Sequence, residues 1–224
     1  MPTAIFVDAG FFIKRFPRVY PHKNAADAVE AAQTLHQMAL DHLVQKGDAE
    51  RRELYRIFVY DCPPLQKKAE YPVSRQTVDF SKTETAQFRL AFHHELKCLR
   101  KVALRLGRLQ DISEWRLKPG ITKTLLKGDK PFSELEDRDF VYDTRQKGTD
   151  MKIGLDIASV SYKKQVDQIV LVAGDADFVP AAKLARREGV DFILDPMWNR
   201  IPDDLHEHVD GLRSTCPRPE AERQ

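Results

Sequence analysis

The chain has 224 residues, 42% of them hydrophobic and 31% charged, enough for one good-sized domain with its own core. Ordinary apolar content and the lack of a short repeat exclude a coiled coil, a collagen-like chain and a wholly disordered polypeptide. Lys and Arg total 36 against 34 Asp and Glu, so the net charge of +2 selects no partner by itself. Three cysteines (Cys62, Cys98, Cys216) without C-x-x-C spacing argue against a disulfide framework and a zinc knuckle. No apolar run approaches the roughly 20 residues of a membrane helix. The amino terminus MPTAIFVDAG lacks a basic lead and a cleavage site, so the expectation is a soluble, cytoplasmic protein.

The run Ala4-Ile5-Phe6-Val7, closed by Asp8-Ala9-Gly10, reads as a strand buried on both faces, as in a parallel sheet. Asn24 opens a helix expected to run to about Lys46, with Leu35, Ala39 and Leu43 on one face and Gly47 as its stop. Residues 55–60 (YRIFVY) form a second strand before Asp61-Cys62-Pro63-Pro64. Between about 65 and 140 the rhythm breaks. A long amphipathic helix is expected near 84–106, where Leu96, Leu99, Ala103 and Leu106 keep helical spacing. A β-hairpin follows, pairing 112–117 with 121–126 across Lys118-Pro119-Gly120. Phe140-Val141-Tyr142 is a short strand. Beyond it, helices at about 149–163 and 178–188 alternate with strands at 169–172 and 190–194, and a last helix is expected over 203–213. Strands alternating with helices predict an α/β fold with a parallel sheet. No linker divides the chain, so 1–214 is read as one domain with an insertion and 215–224 as a disordered tail.

The acidic residues carry the functional signal. Asp8, Asp61, Asp175 and Asp195 each follow a buried strand, and in an open parallel sheet the carboxyl ends of the strands share one rim, where ligands bind. Asp177 stands in the same turn as Asp175, and Asp150 opens a helix after Lys147-Gly148-Thr149. Any one of these could simply cap a helix, and Asp195-Pro196 reads as a turn. Several carboxylates held together repel one another and lose hydration, a cost that a cation offsets. An oxygen-only donor set suits Mg²⁺ or Mn²⁺ rather than zinc, and such pockets serve phosphoryl chemistry. Asp61 stays as a candidate at the edge of the site.

The blocks IFVDAG, VYDCPP, QKGTDMKIGLDI and QIVLVAGDADFVPAAKLARREGV resemble, in order, those of LabA-like NYN-domain proteins of the PIN-like nuclease superfamily. The resemblance implies a three-layer fold with strand order 3-2-1-4-5. It also implies metal-dependent cleavage of RNA phosphodiesters, with Asp8, Asp150 and Asp175 as metal ligands and catalytic residues and Asp177 as a fourth ligand or water-held partner. Asp156 matches a family position too, but it lies six residues past Asp150, about 240° around a helix, and pairing with Lys152 is the simpler expectation. One departure is plain: many members have a polar residue about three positions after the first Asp, where this chain has Phe11-Phe12. That departure supports an alternative, a catalytically weak RNA-binding regulator. PIN-like domains commonly pair, so a homodimer is among the expectations. A haloacid dehalogenase type of phosphatase is disfavoured, because the second Asp it needs is replaced by Gly10.

Between Lys97 and Lys130 stand ten basic residues against three acidic ones. Lys97, Lys101, Arg105 and Arg108 keep near-helical spacing and predict a basic stripe that could follow phosphates in single-stranded or structured RNA. Lys147 and Lys152 flank Asp150 as phosphate-contacting candidates. Trp115 and the Phe11-Phe12 pair are candidates for stacking on unpaired bases, with core packing the expectation for at least one of the phenylalanines.

Overall fold

The computed structural model describes residues 2–44 and 51–219. In chain order, β1 (Thr3–Asp8) runs straight into α1 (Ala9–Val19), and α2 (Ala28–Asp41) leads to β2 (Leu54–Asp61). The insertion holds β3 (Lys68–Glu70), β4 (Thr77–Asp79) and α3 (Glu84–Cys98). The same stretch continues through β5 (Val102–Leu106), β6 (Arg108–Leu117) and α4 (Pro119–Lys127), and β7 (Phe140–Lys147) begins at its end. Then come α5 (Thr149–Tyr162), β8 (Gln168–Val172), α6 (Val179–Arg187), β9 (Asp191–Asp195), α7 (Asp203–Glu207) and β10 (Gly211–Leu212).

Six strands form one parallel sheet in the order β10-β9-β8-β1-β2-β5. Its five longer strands follow the expected pattern, and it differs in detail by the short β10 added beyond β9. The uninterrupted apolar strands are explained by burial on both faces. Along β1, Ile5 and Val7 face one core with Phe12, Leu35, Met38, Phe92 and Leu96 of α1, α2 and α3. Ala4 and Phe6 face the other, with Ile153 and Ile157 of α5 and Ala182 and Ala185 of α6. The result is a three-layer α/β fold with β1 at its centre.

Several local expectations are corrected. The sequence reading assigns no element to the stretch that forms helix α1. The Asp8 carboxylate accepts from Phe11 N at 3.1 Å and starts the helix there. Helix α2 is capped by Asp27 rather than Asn24, and it ends at Asp41; the expected end at Lys46 and Gly47 lies outside the described residues. The helix expected through 106 ends at Cys98. The chain then turns through Lys101, whose φ of 60° is left-handed, and Val102–Leu106 pairs with Ile57–Asp61 as the outermost long strand. A 3-4-3 apolar spacing spanned the turn and mimicked a continuous helix.

The expected hairpin is also replaced. Pro119 starts helix α4 and Gly128, at φ 79°, ends it, so 121–126 is helical. The true partner of β6 is the distant β7, paired antiparallel from Arg108↔Lys147 to Leu117↔Phe140. Tyr71, Phe80, Trp115 and Tyr142 pack where this ribbon meets the β3–β4 pair, with Trp115 centred 5.1 Å from both Tyr71 and Tyr142. The helix expected over 203–213 stops at Glu207, because Asp210 turns inward, accepting from Phe192 N and Arg186 Nε, both at 2.9 Å. Of the carboxyl-terminal stretch, Thr215 donates to the Met38 carbonyl at 2.9 Å and Cys216 is buried; residues 220–224 lie outside the described residues.

Candidate metal and nucleic-acid site

Asp8 ends β1, Asp61 ends β2, Asp150 sits in the first turn of α5, and Asp175 follows β8. Parallel strand direction brings Asp8, Asp61 and Asp175 to one rim, and Asp150 joins them from the helix that opens where the β6–β7 ribbon ends. Asp175 accepts from Asp177 N at 3.2 Å and holds the turn before α6. Burial pushes the Asp8 carboxyl up to about 6, with Asp150 and Asp61 adding repulsion against the pull of the Phe11 amide. Burial likewise raises Asp150, and Asp175 and Asp177 add repulsion from the other side. Asp150 is thus the electrostatic link between Asp8 and the Asp175–Asp177 turn.

The carboxylate oxygens of Asp8, Asp150 and Asp175 do not all lie within 4.8 Å of one another. Among the described residues, Asp204, Glu207 and His208 at the short, exposed α7 do meet that spacing. Mutual repulsion favours this open arrangement at the rim. The donor set still fits a hard divalent cation: it offers oxygens only, and its members raise one another's proton affinity, a strain that two positive charges relieve.

Asp61 has a different role. It is fully buried; one oxygen accepts from Cys62 N at 2.8 Å and pairs with Arg89, and the other meets His93 Nε2 at 2.7 Å. It anchors α3 to the sheet. Asp195 is also fully buried, bonded to His42 at 2.9 Å and to Met197 N at 2.7 Å. Asp156 accepts from Tyr60 OH at 2.7 Å and lies 3.5 Å from Arg105 Nε. The expected Lys152 pairing is not made, because Lys152 Nζ donates to the Leu106 carbonyl.

The basic stripe is broken up by the end of α3 at Cys98. Lys97 remains on that helix, Arg105 lies in β5, and Arg108 opens the ribbon beside Lys147. Lys101 stands at the amino end of β5 and donates to the Leu54 carbonyl, a strand length of about 16 Å from the carboxyl rim. Trp115 is packed in its aromatic cluster and donates to the Glu70 carbonyl at 2.8 Å. Phe12 is fully buried. The Phe11 ring covers Gly174, where an added Cβ would come within 2.7 Å of it.

Cations that the sequence reading passed over stand nearer. A cleft of about 530 Å³ is lined by Asp8, Phe11, Lys14, Arg18, Asp175 and Asn199 among others. Phe11, Lys14 and Arg18 occupy positions i, i+3 and i+7 of α1 and share a face. The signal was present: Asp8 as a cap, followed by apolar Ala9, Phe12, Phe16 and Val19 at helical spacing. Arg15 on the same helix is committed to the fold, donating to the Met197 carbonyl at 2.8 Å. Gln146 of β7 also approaches, its Oε1 lying 3.7 Å from where a Gly10 Cβ would stand.

No curated protein matches the chain. Residues 107–211 match the family model of the NYN domain, a span that runs from the start of the ribbon to the edge strand β10 and includes Asp150, Asp175 and Asp177, with Asp8 lying ahead of it. NYN domains imply a function of nuclease type, acting on RNA, and typically use divalent metal ions. Over residues 107–211, just under half of its length, the chain is thus similar to the NYN domain, a family of the PIN-like nuclease superfamily.

Proposed function

We propose that this protein is a metal-dependent ribonuclease of the LabA-like kind, working in the cytoplasm. It hydrolyses RNA phosphodiesters with Mg²⁺ or Mn²⁺ held by Asp8, Asp150 and Asp175. The observation that supports the reading is the match of residues 107–211 to the NYN family together with Asp8, Asp150 and Asp175 at one rim, where burial and neighbouring carboxylates raise Asp8 and Asp150. When bound, the ion would neutralise these carboxylates, polarise the scissile phosphate and lower the pKa of an attacking water. Asp8, fixed by its bond to Phe11 N, and Asp150, at the start of α5, hold the site from the central sheet and from a helix flanking it. Asp177, in the same turn as Asp175, would orient water. Lys14 and Arg18 on one side, with Lys147 and Arg108 on the other, attract the flanking phosphates.

A second reading, a weak nuclease that mainly binds RNA, is favoured by Phe11. Its ring lies against Gly174 at a position where the family resemblance implies a polar group, and the Asp8, Asp150 and Asp175 oxygens do not all lie within 4.8 Å of one another. Single-turnover cleavage of a single-stranded RNA, with Mn²⁺ and with EDTA, separates the two. The nuclease reading expects cleavage only with the ion. It also expects a loss of about 10²–10³-fold in Asp150→Asn and Asp175→Asn, in line with removing one group that stabilises transition-state charge. Full activity in Asp175→Asn would refute it.

A further inference from the structure

Next to the acidic rim, a second cleft of about 380 Å³ lies between α3 and the β6–β7 ribbon, within the size range of small-molecule sites. Phe80 and Tyr142 line it with ring centroids 4.8 Å apart, and the Pro63-Pro64-Leu65 turn after β2 adds apolar surface. Thr144 and Gln146 contribute polar edges. The charged lining group is Arg89, already balanced by its pairing with buried Asp61. A charged ligand would find no unsatisfied counter-charge there, whereas a neutral, flat molecule with polar edges meets aromatic faces and hydrogen-bonding groups.

The cleft joins the rim through two residues. Gln146 lines it while its Oε1 approaches Gly10, beside Asp8. Cys62 lines it while its Sγ meets Thr149 Oγ1 at 3.5 Å, one residue before Asp150.

We propose that this cleft receives an unpaired nucleobase of the RNA strand whose phosphodiester lies at the aspartates, an inference that rests on the nuclease reading above. Aromatic stacking with hydrogen bonds to base edges is how proteins hold unstacked bases. A base in an intact duplex cannot enter such a cleft without being extruded. The insertion therefore selects single-stranded or looped RNA.

Thr85, exposed in the first turn of α3, lines the cleft, so Thr85→Trp places a ring in the space without removing a packed residue. Binding is read by fluorescence anisotropy in EDTA, using a short single-stranded RNA and a ribose-phosphate strand of the same length lacking bases. Losing one stacked base corresponds to a Kd about 5- to 150-fold weaker. Thr85→Trp is expected to show that loss with the RNA and none with the base-free strand. If Thr85→Trp melts abnormally by circular dichroism, the exposed Gln146→Ala replaces it, with a loss in the same direction. A variant that binds RNA as tightly as the wild type overturns the base site, and leaves the nuclease reading intact if wild-type cleavage persists. A wild-type protein that neither binds nor cleaves RNA sinks both.

Discussion

Asp61 is the residue whose assigned role changed most, and its replacement has a large expected effect. In Asp61→Ala the Arg89 guanidinium loses its partner while its side chain remains only 18% exposed, and His93, at 5%, loses the acceptor for Nε2. The Cys62 amide also loses its 2.8 Å bond. Removing one member of a buried pair costs about 3–5 kcal/mol, mostly because the remaining charge stays out of water. For chains of this size each kcal/mol moves the melting temperature by about 2–4 °C, so a fall of about 6–20 °C is expected. The assay is a circular dichroism melt at pH 7.5 in EDTA, which separates stability from any metal effect. The triple variant Asp61→Leu, Arg89→Met, His93→Leu removes the charges together and should recover most of the loss. A shift of less than about 3 °C in Asp61→Ala would refute Asp61 as a structural anchor, since it would put the pair at about 1 kcal/mol.

Two further outcomes follow from the rim. In metal-free solution, Asp8→Asn should leave stability unchanged below about pH 3, where the carboxyl is protonated in both folded and unfolded chains. As pH rises through the window from 3.8 to about 6, the folded wild type retains a proton that the unfolded chain gives up. The wild type therefore loses stability relative to the variant, by about 3 kcal/mol above pH 6. Asn keeps an acceptor for Phe11 N; urea midpoints across pH check this, and a difference independent of pH would contradict it. Asp156→Asn should retain metal-dependent cleavage within a fewfold while lowering stability by about 1–2 kcal/mol, because its carboxylate serves Tyr60 and Arg105. A collapse of activity without loss of stability would return Asp156 to the site.

The sequence by itself determined the α/β class and the convergence of Asp8, Asp150 and Asp175 on a single rim. Asp8 and Asp175 follow buried apolar strands, whose parallel direction carries them to the same edge whatever the loops do, whereas Asp150 opens the helix after the β6–β7 ribbon. It also contained helix α1, in the cap at Asp8 and the spacing of Phe12, Phe16 and Val19, although Ala9-Gly10 disguised it. Only the tertiary structure decided which carboxylates are committed elsewhere. Asp61 and Asp195 have the same local signature as Asp8, and what sets them apart is Arg89, His93 and His42 arriving from helices distant in sequence. The ribbon belongs to the same class: β6 has a neighbouring segment with apolar spacing, yet Pro119 and Gly128 make that segment a helix, and the partner is β7 beyond it. Pairing between strands and neutralisation of buried charge are set by long-range contacts, which local residue patterns do not encode.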